Sequence, residues 1–550
     1  MKREKLLLTL VLIIIFLVHS GYINNGFTWL DHGDIEGGRA VLPLSRLQQA
    51  FFTRFGETNF YRPLVTILNS TDVHLYGRSA QGFHLTNISL YLLVVVATFY
   101  FVRTFFELSK RESLFIAFVV GIHPLTILPV GAISYRQELL TVMFTFVTIT
   151  TYLKFFETKK RIWIIVSLFF WLLALFSKET ALFWVPGLIF IWESSQGFEN
   201  LRQQFKYFLA FLFTAIFYII LRIQTVPEFW TEQSQNLNLN EAIGTRLSVF
   251  LSQLLNIIVP FQSGLSDATL ITKITTVKPI LAILILFAGL ILVLRNKKNS
   301  ILFRLVFFVL IMLLPALSII PLPRFNSPHY GFIAAPAAGV IVILIAGFIT
   351  NKLAKSVFLI FISTWLLIMI VSTFRAGFQF KDDFTLFNPE VKKDNNFKEG
   401  HFYLGDYYLR RGNFKEAEKH LEVSLQENPK LIAFVDRSAA MTNLAGAYLA
   451  QQKFGKAEKL LEELIKKSSG NNRLMVLYNL AVISERKSDY EKVVNLLKNE
   501  VNQWQEPQPL LLYVKGLVKI GRESDADNIL KNKLFVIDKQ KRQEIIQSAR

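Results

Sequence analysis

Between Trp29 and Gly38 the chain reads Trp-Leu-Asp-His-Gly-Asp-Ile-Glu-Gly-Gly, placing the carboxylates of Asp31, Asp34 and Glu36 and the imidazole of His32 within six residues, beside glycines. Such a set has two chemical uses. One carboxylate can take a proton from an acceptor hydroxyl as a general base. Alternatively, Asp31, His32, Asp34 and Glu36 can hold a hard divalent cation, Mg or Mn, against phosphate oxygens. The commoner fate of an acidic cluster in a loop is a solvated turn. A second group is cationic: Arg62, Arg136, Lys178 and Arg324 stand beside apolar runs, as snorkelling or ion-paired side chains or as ligands for phosphate at the lipid headgroup level. His84 and Asn87, one turn apart, share a helix face. His123, Glu138 and Glu179 sit in or beside apolar runs, where each needs a partner, so these five are candidates to line a cavity.

A membrane has to position them. The 550 residues are 52% hydrophobic, with a net charge of +19 that divides unevenly. Residues 1–380 carry 31 Lys and Arg against 17 Asp and Glu, and residues 381–550 carry 29 against 24. In the first part the positive charges sit in short clusters between apolar runs, a topology signal and not a nucleic-acid stripe. With no cysteine, thiolate metal sites, disulfides and Cys nucleophiles are excluded.

Apolar runs of roughly spanning length fall at 6–22, 84–106, 113–131, 138–156, 162–176, 180–193, 206–222, 279–294, 301–321, 331–350 and 356–374. The first follows Met1-Lys2-Arg3-Glu4-Lys5 and lacks a small-x-small cleavage site, so it reads as a retained anchor. Lys and Arg gather in alternate connections: 1–5, 103–112, 154–161, 202–206, 295–304 and 352–355. That parity holds if 246–262 is a re-entrant or interfacial helix. The expectation is about eleven crossings, N-terminus cytoplasmic, with the first loop (23–83) and the C-terminal part on the outer face. Composition suggests a bacterial inner membrane and a periplasmic outer side.

From about 398 the pattern becomes paired amphipathic helices. Leu404-Gly405, Tyr408, Phe414 and Ala417 recur as Leu444-Ala445, Tyr448, Phe454 and Ala457, then as Leu480-Ala481, Tyr490 and Val493. The small-residue pairs are 40 and 36 residues apart, near the period of about 34 for tetratricopeptide repeats. A degenerate fourth unit (Gly521, Ala526, Leu530) and a polar end at 539–550 read as a cap. The repeats form a groove suited to a protein or peptide. The fold class is therefore all-α: a polytopic membrane bundle over 1–375, a linker over 376–397 and a repeat α-solenoid over 398–550.

Taken together, Tyr61-Arg62-Pro63-Leu64, Gly82-Phe83-His84-Leu85-Thr86-Asn87, His123-Pro124, Arg136-Gln137-Glu138-Leu139-Leu140, Ser177-Lys178-Glu179-Thr180, the Leu314-Pro315 to Pro321 stretch and Tyr330 resemble the transmembrane and tetratricopeptide-repeat O-mannosyltransferase-like family. That family belongs to the GT-C glycosyltransferases and is related to the protein O-mannosyltransferases. The resemblance covers nearly the whole chain. It implies a GT-C-type bundle and inverting transfer of a sugar, mannose in the related enzymes, from a polyprenyl-phosphate carrier to a protein acceptor on the non-cytoplasmic face. It also implies a catalytic aspartate in the first loop, Asp31 first and Asp34 second. Arg62, Arg136, Lys178, Arg324, His329 and Tyr330 would meet the donor phosphate. Three positions depart from the family pattern: Leu30 replaces an acid beside Asp31, Leu128 a Glu after His-Pro, and His329 an Arg before the tyrosine. A catalytically silent membrane scaffold that recruits partners through its repeats is the alternative. A transporter or flippase of lipid-linked substrates fits the long charged first loop less well.

Overall fold

The computed structural model describes residues 2–549 except 57, 198–204, 228–236, 260, 262–263, 297–298, 320–321, 467, 469, 501–506 and 533–538. Met1 and Pro321, and Arg202, Lys297 and Lys298 of the basic connections 202–206 and 295–304, lie outside the described residues. The chain forms two units. The first holds Met1–Glu390 with Pro429–Ala433, and the second holds Val391–Asn428 with Phe434–Arg550.

Unit 1 is made of apolar helices. Among the described residues six are long and apolar enough to cross a membrane: Lys5–Tyr22, Ala80–Phe105, Ile133–Thr158, Tyr207–Thr225, Val277–Arg295 and Lys352–Lys381. Two bent pairs raise this to eight if each counts as one span: Lys110–Gly121 with Pro124–Gly131, at 52°, and Pro328–Ala334 with Pro336–Phe348, at 55°. This is fewer than the eleven expected. The shortfall lies in Ile162–Ser177, Ala181–Ser195 and Ser300–Leu313, helices of 16, 15 and 14 residues. At about 1.5 Å per residue they reach roughly 21–24 Å, short of a hydrocarbon core of about 30 Å. In the third, Pro315 opens a separate 3-10 turn and so ends a run that looked longer in the sequence. The expected re-entrant segment is the helix Leu239–Ile258, which is not among the six.

A bent span leaves carbonyls that lipid cannot satisfy. At the end of Lys110–Gly121, three other helices supply the partners. The Tyr91 hydroxyl donates to the Val120 carbonyl at 2.6 Å, His19 Nε2 lies 3.1 Å from the Gly121 carbonyl, and Thr373 Oγ1 donates to the Ile122 carbonyl at 2.8 Å. His123 completes the break. Its Nδ1 accepts from the Leu125 N–H at 3.2 Å, and its Nε2 is 2.9 Å from the Ile257 carbonyl. Gly121 has no room for a side chain, since a Cβ there would stand 2.1 Å from Ile15 Cδ1.

The stretch expected to be a linker is packed structure. Phe380, Leu386 and Phe387 are buried, Asp383–Lys393 is helical, and the Glu390 carboxylate accepts from the Leu265 N–H at 2.8 Å. The one strand pair among the described residues, Thr269–Leu270 antiparallel to Leu431–Ile432, also belongs to unit 1.

Unit 2 contains four helix pairs: Lys398–Arg410 with Phe414–Leu425, Arg437–Ala450 with Phe454–Ile465, Gly470–Arg486 with Tyr490–Leu497, and Pro507–Lys519 with Glu523–Asn532. Lys539–Ala549 follows, with Ile546 and Ala549 buried in the core of the last pairs. Ala417, Ala457, Val493 and Ala526 are fully buried at matching positions of the second helices. A backbone device repeats as well. Gly412, Gln452, Ser488 and Gly521 all have positive φ in the turn within each pair. The next residue's N–H returns to the carbonyl of Tyr408, Tyr448, Ser484 or Leu517 at 2.8–3.0 Å, closing each first helix in a Schellman motif. Two of the four positions carry a side chain in a conformation that favours glycine. Gln452→Gly and Ser488→Gly are each expected to stabilise unit 2 by about 0.5–1 kcal/mol. Chemical denaturation followed by the repeat-helix signal checks this, and a loss of stability in both variants would contradict the turn assignment.

Candidate functional site at the first loop

The first loop is anchored by a buried carboxylate. Asp31 is fully buried, and its Oδ1 accepts from both the N–H and the hydroxyl of Ser134 at 2.7 Å. Its Oδ2 accepts from the N–H groups of Thr28 and Ile133, each at 3.3 Å. Asp31 thereby caps the turn Ile133–Tyr135 that opens the helix Arg136–Thr158, where backbone donors have no helical partner. Burial pushes its pKa up to about 6, with the hydrogen bonds from Ser134, Thr28 and Ile133 holding it lower than burial alone would. Asp34 is also buried, and one of its oxygens takes Arg39 Nε at 3.0 Å and Nη2 at 2.5 Å. Its pKa is likewise raised by burial, against the pull of Arg39. Two glycines admit Arg39. At Gly56, φ is +58° and a Cβ would stand 2.8 Å from Arg39 Cγ; at Gly33 it would stand 3.1 Å from Nη2.

Beside this loop lies a series of ion pairs. Arg62 Nη2 is 3.3 Å from Glu179 Oε1, and the guanidinium lies over the Phe60 ring at 4.0 Å. Lys178 Nζ meets Glu138 Oε1 at 2.5 Å and stands 5.6 Å from the Tyr330 ring. His329 Nε2 is 3.6 Å from the same Glu138 oxygen, with its Nδ1 at 2.7 Å from Ser327 Oγ. The Arg324 guanidinium stacks over Trp29 at 5.2 Å and Tyr135 at 5.9 Å, and the Tyr330 hydroxyl donates to the Arg324 carbonyl at 3.1 Å. The charges of Lys178, Arg324 and Arg62 all bear on His329. Trp29 has φ of +59°, a conformation uncommon for any residue but glycine.

The other predicted residues occupy different roles. Arg136 is fully buried and pairs with Asp72 at 2.8 Å, and Asp72 also accepts from Thr86 Oγ1 at 3.0 Å. Arg136 thus ties the helix Arg136–Thr158 to Pro63–Tyr76 and stays out of the Arg62–Lys178–Arg324 group. His84, Asn87 and His123 are buried with backbone partners, the carbonyls of Gly26, Val130 and Ile257. His32 bridges two acids, Glu36 through Nδ1 and Asp383 through Nε2 at 2.9 Å. Asp31 turns to Ser134, Asp34 to Arg39, and His32 lies between Glu36 and Asp383, so the four do not converge on one point; no group of three or more metal-ligating side chains that could hold an ion occurs among the described residues. Sequence reasoning missed Asp72, Ser134 and Asp383, whose importance comes from partners distant in the chain, and Arg39, whose partner Asp34 is only five residues away.

The tetratricopeptide repeat family matches residues 400–474, which assigns the start of unit 2 to that repeat class. No curated protein matches the chain.

Removing one partner of a buried pair strands the other charge. Lys178→Met is expected to destabilise the protein by about 3–5 kcal/mol, and Lys178→Met with Glu138→Gln to recover most of that. Thermal unfolding in detergent measures both, and additive losses would show that the pair is not coupled.

Proposed function

We propose that the protein is an integral membrane glycosyltransferase that moves a sugar from a polyprenyl-phosphate carrier to a protein acceptor held by the repeats. The observation that carries this reading is the grouping of Arg62, Lys178 and Arg324, with His329 and Tyr330, beside the first-loop aspartates. A base in that loop takes the acceptor hydroxyl proton, the oxygen attacks the anomeric carbon with inversion, and the polyprenyl phosphate leaves. The cations offset the charge that grows on the departing phosphate. Asp31 is the base: a carboxylate with a pKa raised to about 6 is matched to proton transfer near neutral pH. The Ser134 hydroxyl, the one side-chain donor on Asp31, has to turn away for the acceptor hydroxyl to reach the carboxylate in this reading. Mannose is the sugar suggested by the resemblance. Asp31 on Ser134, Asp34 on Arg39 and His32 between Glu36 and Asp383 do not converge on a common metal position.

The topology that goes with this reading has eleven crossings, the three short helices and both bent pairs each crossing once. The first loop and the repeats then share the periplasmic side of a bacterial inner membrane. A reporter fused after Arg375 should be active only outside the cytoplasm.

A second reading, a catalytically silent scaffold that recruits partners through its repeats, is favoured by one observation: both Asp31 oxygens are already doubly hydrogen-bonded. Transfer assays in membranes separate the two. Asp31→Asn should abolish transfer while the protein is still made. Because the basic form of Asp31 is lost as pH falls through about 6, the wild-type rate should decline there and not near 4. Undiminished transfer by Asp31→Asn removes Asp31 as the base, and a wild-type protein inactive with every polyprenyl-phosphate sugar leaves the scaffold.

A further inference from the structure

The end of the last candidate span and the chain that follows it are fastened back onto the first loop. The Gly26 N–H donates to the Lys381 carbonyl at 3.2 Å, and Asn25 Nδ2 donates to the Gly377 carbonyl at 2.6 Å. Asp383, itself buried, then grips the loop with both oxygens: Oδ1 accepts from the Trp29 N–H at 2.8 Å, and Oδ2 meets His32 Nε2 at 2.9 Å. Phe387, one helical turn further on, packs the edge of its ring on Trp29 with centroids 5.3 Å apart. These contacts hold Trp29 at a positive φ, and it is over the Trp29 ring that the Arg324 guanidinium lies.

We propose that Asp383 is a positioning residue: by fixing the backbone and ring of Trp29 it sets the place of Arg324, and so the affinity for the donor phosphate. The inference rests on the reading of Arg324 as a donor-phosphate ligand. Arg324 stands on a loop before the turn Pro328–Ala334, and the Trp29 and Tyr135 rings give its guanidinium a surface to stack on. The same segment begins the helix Asp383–Lys393, beyond which the repeats start. The acceptor-binding part of the chain is thus joined in sequence to the residue that sets the donor site.

The test uses the full-length protein in lipid nanodiscs, with undecaprenyl phosphate as the binding probe and steady-state transfer as the kinetic readout. Asp383→Ala should weaken probe binding and raise donor KM by about tenfold, the scale of a lost hydrogen bond to a charged group, with kcat and acceptor KM unchanged. Asp383→Asn keeps an oxygen for the Trp29 N–H and should recover most of that loss. Gly26→Ala attacks the fastening elsewhere, because its Cβ would stand 2.9 Å from the Lys381 carbonyl, and should reproduce the donor-specific defect. Trp29→Phe keeps the N–H but narrows the ring under Arg324, and should do the same if Asp383→Ala does not fold. Unchanged donor affinity in Asp383→Ala overturns the proposal. So does Asp383→Asn as defective as Asp383→Ala, or an equal fall in every kinetic parameter. A wild-type protein that does not bind undecaprenyl phosphate overturns the donor reading and this inference together, whereas wild-type binding with an unaffected variant removes this inference alone.

Discussion

The carbonyls of Val120, Gly121 and Ile122 lie where a helix stops inside an apolar bundle, and only protein can satisfy them there. Each receives a side chain from a different helix: Tyr91, His19 and Thr373. Those partners bring the ends of the first and last candidate spans to the same break. The first loop starts at one of these ends and the Asp383 segment at the other, so the loop carrying Asp31 and the segment carrying Asp383 meet as a consequence of backbone satisfaction. Gly121 and Gly26, each too close to a neighbour to carry a side chain, are the steric counterpart of that closeness.

Charge follows the same rule with higher stakes. A buried cation without a partner is far costlier than an unpaired carbonyl, and here Arg62, Arg136 and Lys178 meet Glu179, Asp72 and Glu138. Any anion that enters beside Arg62 and Lys178 competes with carboxylates already in place. The phosphate ligand proposed for this site would have to exchange partners with them, which favours one whose several oxygens can engage Arg62, Lys178 and Arg324 together.

Much of this organisation was legible in the sequence, for reasons that differ by element. The repeats could be read because small residues recur where helices touch. The turns within the pairs could not be read in the same way: glycine stands at the positive-φ position in Gly412 and Gly521 but not in Gln452 and Ser488, where the conformation is imposed by the motif and not by the residue type. Hydropathy located the apolar runs but not their breaks, so Pro315 and the bends before Pro124 and Pro336 lowered the number of full-length spans. Of the candidate site, Asp31, Asp34, Arg62, Lys178 and Arg324 could be picked out from residue type and place, but so was Arg136, which Asp72 takes up instead. Their partners could not, since Ser134 lies 103 residues from Asp31 and Asp383 lies 351 from His32. Segment 376–397 looked like a linker because its polar residues hid the role of Phe380 and Phe387, whose burial depends on contacts made far back in the chain.

The hydrogen bond from Thr373 to the Ile122 carbonyl spans 251 residues, and that distance is also an interval of time. At a synthesis rate of about 5–20 residues per second, the break emerges some 10–50 seconds before its last donor exists. Until then the carbonyl is open to whatever else in the membrane can donate to it. The order of synthesis therefore makes the last candidate span, which carries Thr373, the element that completes the break.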